Sequence, residues 1–457
     1  MSQLIAGVAR ANITPPVGML MSGYAARKTP AVGIHDELHT VALYLTDGTT
    51  EAALITADLI DTDAGGTARV REACNAASGV PAENVLVNCS HTHGGPQTGL
   101  DRSDPGDDLK QAYSTVLVHK MAGALSEAKL NATPVRVGYG RQDCSFAMNR
   151  RERKPDGTTV LGVNPEGPTA PFTDVIRLDR LDTGEPLGLL FSYACHGTTM
   201  GGDNLLYTAD YPGVAKRFID QQFPTALASF IAGCSGDINP YPRGDFEQCE
   251  RHGKQLGSAV VQAALDIEDM VDDARIAVAR HEFALRLEEP PTLDEAKERL
   301  EKVRAAAEEE LAKTRQAAGG EPVDERKALN WFTARTLRGT EALVEALERG
   351  ETDFSIPVET QAIAIGDCAI VGMPGEIFVK IGMAVAEGSP FARTIPLSHA
   401  NGSPGYVPTA DQVPLGGYEV AQARARRYGL FIVPESDRAM IDGALAALRK
   451  CYNSLHG

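Results

Sequence analysis

His91-Thr92-His93 stands directly after an apolar run, Asn84-Val-Leu-Val-Asn-Cys-Ser90. On an extended strand side chains alternate, so both imidazoles would project to the same side. Imidazole is a frequent ligand of divalent metals. The pair reads equally as two metal-facing groups or as a hydrogen-bonded core pair. His196 closes another apolar run, Leu187-Gly-Leu-Leu-Phe-Ser-Tyr-Ala-Cys, and Glu376 sits in Met373-Pro374-Gly375-Glu376, a turn that would aim its carboxylate inward. Each alone has a plain reading, a structural histidine at a strand end or a surface glutamate. Together, two histidines and a glutamate are a common protein set for catalytic zinc, which keeps a further position for water or substrate. Asp58 and Asp237 also close apolar runs. They would accept the second N–H of a metal-bound histidine, or simply cap turns.

Three hairpins must position these groups. Val41–Thr46 and Ala52–Asp58 flank Asp47-Gly48, Val175–Leu181 and Leu187–His196 flank Thr183-Gly184, and Gln361–Ile365 and Ala369–Glu376 flank Gly366-Asp367. Such dipeptides supply the backbone angles of tight turns. Asn84–Ser90 and Leu227–Cys234 read as two further strands, the second running into Ser235-Gly236-Asp237. Helical spacing covers Thr67–Ser78, Leu109–Lys129 and Tyr211–Phe223. Thr292-x-x-Glu295 is a capping box, followed by Leu293, Ala296, Leu300, Val303, Ala307 and Leu311 at helical intervals. Gly319-Gly320-Glu-Pro322 breaks that helix, and a second covers about Val323 to Glu348. The expected fold is α/β: central β-sheets flanked by helices in a layered sandwich. One domain spans 1–457, with an inserted helical hairpin at 290–350. The hairpin reads as a surface or subunit contact, hence a route to a homo-oligomer, in preference to a lid.

Composition narrows the class. The net charge of −17 disfavours nucleic acid and anionic membrane surfaces, both bound through Lys and Arg. The N-terminal segment has no basic stretch followed by an apolar one, and no stretch is long and apolar enough to span a bilayer. The eight cysteines are scattered, with no Cys-x-x-Cys pair. They read as reduced thiols in the cytoplasm.

Five segments, in order, resemble the neutral, non-lysosomal ceramidase family. They are Gly7–Thr14 with Gly33-Ile34-His35; Asn88-Cys-Ser-His91-Thr-His93-Gly-Gly-Pro96; Met148-Asn149-Arg150; Gly236-Asp237-Ile-Asn239-Pro240; and Pro374-Gly375-Glu376 with Gly405-Tyr406-Val-Pro-Thr409 and Tyr418-Glu419. The resemblance implies zinc held by His91, His196, Glu376 and Tyr406. It makes His93 a substrate-contacting neighbour of the metal, although strand alternation would have nominated it as a ligand. It places Arg150 and Tyr418 along the pocket; without it, Arg150 would read as part of a surface charge run and Tyr418 as a packed aromatic.

The sequence departs from the family where Gly-Asp-x-Ser-Pro carries a catalytic serine, because Asn239 stands there. Asparagine is not such a nucleophile but can donate a hydrogen bond to an oxyanion. The chain also ends soon after Tyr418, without the β-domain that follows in long ceramidases. The expectation is a zinc-dependent hydrolase that cleaves an amide (C–N) bond of a small soluble substrate with metal-activated water. His93, Asn239 and Tyr418 would be catalytic, and Arg150 and His93 would bind substrate. The alternatives are a zinc-dependent esterase, lactonase or phosphate-ester hydrolase, or a non-catalytic binding homologue.

Overall fold

The computed structural model describes residues 3–98, 100, 108–319 and 328–457, with residue 331 described by its backbone alone. All three hairpins form. His39–Thr46 pairs antiparallel with Glu51–Ala57, Phe172–Arg180 with Pro186–Tyr193, and Ser355–Ile365 with Cys368–Gly372.

Among the described residues, one sheet has nine strands. Its order is Leu227–Ala232, Pro186–Tyr193, Phe172–Arg180, Thr133–Asp143, Ile5–Asn12, His39–Thr46, Glu51–Ala57 and Val85–Cys89, with Met270–Val271 also paired to Thr133–Asp143. Its first and last strands run parallel to their neighbours. The sheet curls until these two edges meet: Ala232 N donates to Asn88 Oδ1 at 2.9 Å, and the Thr56 and Ser229 hydroxyls lie 2.9 Å apart. Groups that follow either edge strand are thereby brought to one place.

A second sheet has the order Ile276–Arg286, Ser355–Ile365, Cys368–Gly372, Arg393–Leu397. The two sheets pack face to face through Leu43, Leu54, Leu86, Ile176 and Leu190 against Ile363, Ile370 and Ile395. Period-two alternation leaves each sheet another apolar face, and helices cover it. Ala64–Ser78 and Asp108–Leu130 lie on one half of the large sheet, Asp210–Gln222 and Phe246–Leu265 on the other. Ser436–His456 and Val379–Gly388 cover the small sheet. The architecture is thus an α/β layered sandwich, as the sequence pattern implies. The helices Phe246–Leu265, Val379–Gly388 and Ser436–His456 add to those read from the sequence.

The capping box forms at Thr292 and Glu295 and starts the helix Leu293–Ala317. Its buried face is Ala296, Leu300, Ala307 and Leu311. It packs on the helix Trp331–Glu348. The helix stops just before Gly319, which takes φ 63° at the start of the expected break; residues 320–322 of that break and the expected helix start at Val323 lie outside the described residues. The strands on either side of this hairpin pair antiparallel, from Ile276 opposite Ile365 to Arg286 opposite Ser355. The core sheet therefore closes at the base of the insertion.

Candidate metal and active site

Among the described residues, the ligand nitrogens of His91, His93 and His196 all lie within 4.8 Å of one another. The route to this geometry differs from simple strand alternation. The strand before the motif ends at Cys89, and His91 has φ 59°, in the left-handed region. What holds the segment is a parallel bridge between Thr92 and Gly197, with His93 N donating to Gly197 O at 3.0 Å. A Cβ on Gly197 would lie 3.0 Å from the His91 carbonyl oxygen and 3.0 Å from the Thr92 Cα. Glycine is what permits this close approach.

His91 Nδ1 lies 2.7 Å from the Ile60 carbonyl, and His196 Nδ1 lies 2.7 Å from that of Ser235. A carbonyl accepts only, so each Nδ1 carries the proton and each Nε2 presents a lone pair. Both Nε2 atoms face Glu376, whose Oε2 lies 3.4 Å from His91 Nε2 and 3.1 Å from His196 Nε2. Two lone pairs and a carboxylate turned on one point repel one another unless a cation or protons lie between them. Such a donor set, with its outer nitrogens pinned, fits a divalent metal ion. His93 differs: its Nε2 is 3.3 Å from His91 Nε2, but its buried Nδ1 has no hydrogen-bond partner.

The electrostatics follow from burial and proximity. Burial favours the neutral form of Glu376, but His91 and then His196 outweigh it and hold the carboxyl well below its ordinary range. Burial also works against charge on His91, yet the Glu376 carboxylate raises that imidazole. His196, buried and close to the Arg150 guanidinium, is lowered to about 4.

Arg150 is no surface charge. It lies on the strand Ala147–Arg153, whose Met148 pairs with Asn239 on Ile238–Pro240. Its guanidinium donates to Glu419 Oε1 at 2.8 Å, to Asn239 Oδ1 at 3.1 Å and to Tyr406 Oη at 2.9 Å. Thr198 Oγ1 also donates to Asn239 Oδ1, at 3.2 Å. The asparagine oxygen is therefore held twice, which leaves its N–H₂ as the end available to a substrate. Tyr406 pairs in register with Glu376, and burial pushes its hydroxyl well above the usual tyrosine range. Tyr418 packs edge-on to Tyr406, ring centroids 5.7 Å apart, and burial raises its hydroxyl to about 12.

The two aspartates do other work than supporting the histidines. Asp58 forms a buried ion pair with Lys216, at 2.6 and 2.7 Å, and accepts from His39 N. Asp237 accepts from Val379 N at 2.8 Å and from Asn149 Nδ2 at 3.0 Å, tying the strand of Arg150 to the chain after Glu376. The outer nitrogens of His91 and His196 are instead held by main-chain carbonyls, which no side-chain pattern could reveal.

The relatives of the chain bear on this arrangement. A family model described as neutral/alkaline non-lysosomal ceramidase, N-terminal, matches residues 4–281. The chain belongs to that family. It is 25% identical over 260 residues to proteins named neutral ceramidase from Drosophila pseudoobscura pseudoobscura and Drosophila melanogaster. Those matches take in 51% of this chain and 36% of each relative, so the likeness spans about a third of the fly proteins. The crystal structure of neutral ceramidase from Pseudomonas aeruginosa superposes with a TM-score of 0.71 at 18% identity, over 98% of this chain and 75% of that one. A structure of ceramidase complexed with C2 gives 0.72 at 18% identity, over 98% of this chain and 76% of that one. These structures share the ceramidase fold with this chain.

Sequence reasoning missed three neighbours of the site. His399 has φ 54°, is buried, and stacks on His91 with ring centroids 3.8 Å apart. It lies in the loop after the strand Arg393–Leu397, where no periodicity marks it. Glu419 is buried and accepts from Arg151 Nη1 at 2.6 Å as well as from Arg150. Its place beside Tyr418 in the family motif was the available signal. Arg335 comes from the second helix of the inserted hairpin and lies close enough to feel both Glu376 and Tyr418.

No helix among the described residues is long and apolar enough to cross a membrane. All eight cysteines are unpaired and buried.

Proposed function

We propose that this chain is a zinc-dependent hydrolase that cleaves an amide bond in a small substrate. One observation carries the reading. His91 and His196, each with Nδ1 fixed on a carbonyl, turn their Nε2 lone pairs on the Glu376 carboxylate. His91, His196, Glu376 and Tyr406 would hold the ion, with His93 beside it, because His93 lacks the outer partner that orients a ligand histidine. Such an ion supplies Lewis-acid polarisation of a carbonyl and activation of water at neutral pH.

The chain's own residues do the rest. Arg150 locks Tyr406 and Asn239 together, so both are preorganised. Asn239, its oxygen engaged, donates through nitrogen to the oxygen that gains charge as the carbonyl is attacked. His93 borders the cluster and Tyr418 packs on Tyr406, and we assign protonation of the leaving amine to one of them. The family supports an amide bond. Asn239 at the family's serine position supports a substrate other than ceramide. The buried unpaired cysteines suit a reducing compartment such as the cytoplasm.

The test is metal analysis of the purified protein together with chromogenic amide, ester and phosphate panels. About one zinc per chain, with amides turned over best, is the expected result. A metal-free active protein, or a preference for phosphate esters, would sink the proposal.

A further inference from the structure

The strip Leu397–Asn401 is hydrogen-bonded to all three chain segments that lead to the histidines and the glutamate of the site. Leu397 bridges Gly233, Ser398 N donates to Ala232 O at 3.1 Å, and Ser398 Oγ donates to Gly233 O at 2.8 Å. Two residues after Gly233, the Ser235 carbonyl holds His196 Nδ1. Ala400 forms an antiparallel bridge with Asn88, with Cys89 N donating to His399 O at 3.1 Å and Asn401 N to Val87 O at 3.0 Å. His91 comes two residues after Cys89. His399 N in turn donates to Gly375 O at 3.0 Å and Ala400 N to Met373 O at 3.2 Å, just ahead of Glu376. The strip thus sets the approaches to His91, His196 and Glu376 against one another.

His399 stands in the middle of it, 1% exposed. Its ring lies on that of His91, centroids 3.8 Å apart and planes 16° from parallel. Neither of its ring nitrogens hydrogen-bonds to a described residue. The ring therefore contributes a face, not a donor. The bond from His91 Nδ1 to Ile60 O fixes one edge of the His91 imidazole but leaves it free to tilt about that edge. A stacked ring, attractive in itself, fixes the plane. His399 takes φ 54°, a backbone angle that His and Asn adopt more readily than most residues. Asn401, at φ 58°, holds the strip in place: its Oδ1 accepts from Val87 N at 2.9 Å and its Nδ2 donates to Gln361 Oε1 at 2.8 Å.

We propose that His399 is a positioning residue of the metal centre, which sets the plane of the His91 imidazole by stacking and holds the approaches to His91 and Glu376 at a fixed spacing. The role rests on the zinc-hydrolase reading for the presence of a metal and not for the reaction.

The test uses the full chain. Zinc affinity is read by competition with a chromogenic chelator, and the geometry of the site by the visible absorption of cobalt bound in place of zinc. His399→Asn tolerates the positive φ and removes the ring. It is expected to weaken zinc binding roughly ten- to a hundredfold, the usual cost of losing a group that orients a ligand, and to alter the cobalt spectrum. His399→Phe keeps a ring face and should bind zinc within about threefold of the parent, with the parent's spectrum. Asn401→Gly keeps the backbone angle, frees the strip from Val87 and should also weaken zinc; should neither variant at position 399 fold, unchanged affinity in this one overturns the role. A residue that only fills space would lower the melting temperature of the metal-free variants and leave affinity and spectrum as they were, which likewise overturns it. Loss of turnover in His399→Phe with zinc retained does so too, since a ring nitrogen would then take part in the chemistry. Zinc bound by the parent and weakened in His399→Asn, with no amide cleaved, sinks the amidase reading alone. A parent chain that binds no divalent metal sinks both.

Discussion

Thr92 pairs in parallel with Gly197, and through this bridge His91 and His93 reach His196, which lies more than a hundred residues away in the chain. The bridge tolerates no side chain at Gly197 without displacement of the His91–Thr92 backbone. Gly197→Ala is expected to keep the fold but to weaken zinc binding on the order of tenfold, the usual effect of misorienting a ligand. Competition with a chromogenic chelator measures this. Unchanged affinity would show that the backbone gives way without disturbing the imidazoles.

The three histidines should separate by metal content. His91→Ala and His196→Ala each remove a donor whose second nitrogen is pinned, and purified protein should lose its zinc. His93→Ala should keep the zinc and lose turnover. Tyr406→Phe should weaken zinc binding without abolishing it, since the other donors remain. Elemental analysis of the four variants decides the assignment, and full zinc in the His91 and His196 variants would defeat it.

Asn239 should behave as an oxyanion donor. Removing one such donor typically costs roughly a hundred- to a thousand-fold in turnover. Asn239→Ala should fall within or short of that range with zinc bound, and Asn239→Ser should stay active because serine also donates. Glu376→Ala should be worse, since the metal leaves with it. Equal loss in Asn239→Ala and Glu376→Ala, with metal retained in the former, would mean that the asparagine does chemistry beyond donation.

Asp237 predicts a pH dependence of stability. Burial pushes its carboxyl up from 3.8 to about 6. The folded state thus holds the proton more tightly than the unfolded state. The resulting stability is fully present below about pH 4 and is lost as pH rises through 6. A displacement of that size corresponds to on the order of 3 kcal/mol. Asp237→Asn, uncharged throughout, should flatten the change of Tm with pH between about 4 and 6. Parallel melting curves for the two proteins across that window would refute this role.

Part of this protein was legible from its sequence because the signals are local. Turn dipeptides and alternating apolar residues gave the three hairpins, and the Thr292–Glu295 capping box gave the start of the inserted helix. Each depends on contacts within a few residues, which a linear pattern can encode. The family motifs marked His91, His93, Arg150, Asn239, Glu376, Tyr406 and Tyr418 by the same kind of adjacency.

Tertiary structure decided what lies between such segments. Asp58 follows its strand directly and Asp237 lies between the strands Leu227–Ala232 and Ile238–Pro240, yet Lys216 claims one, while Asn149 and the Val379 amide claim the other; those partners are distant in the chain. Arg150 looks like one charge in a basic run until Glu419, Asn239 and Tyr406 close around it. His399 and Arg335 reach the site from a loop and from the insertion, with no periodicity to announce them. The sequence by itself determined which donors exist and which short elements carry them. The curling of the large sheet, whose two edge strands meet at Asn88 and Ala232, together with the packing of the small sheets that carry Arg150, Asn239, Glu376 and Tyr406, decided that they face one another. The reason is physical: a donor's type is fixed by its own atoms, but its partner is fixed by the packing of strands that are remote in sequence.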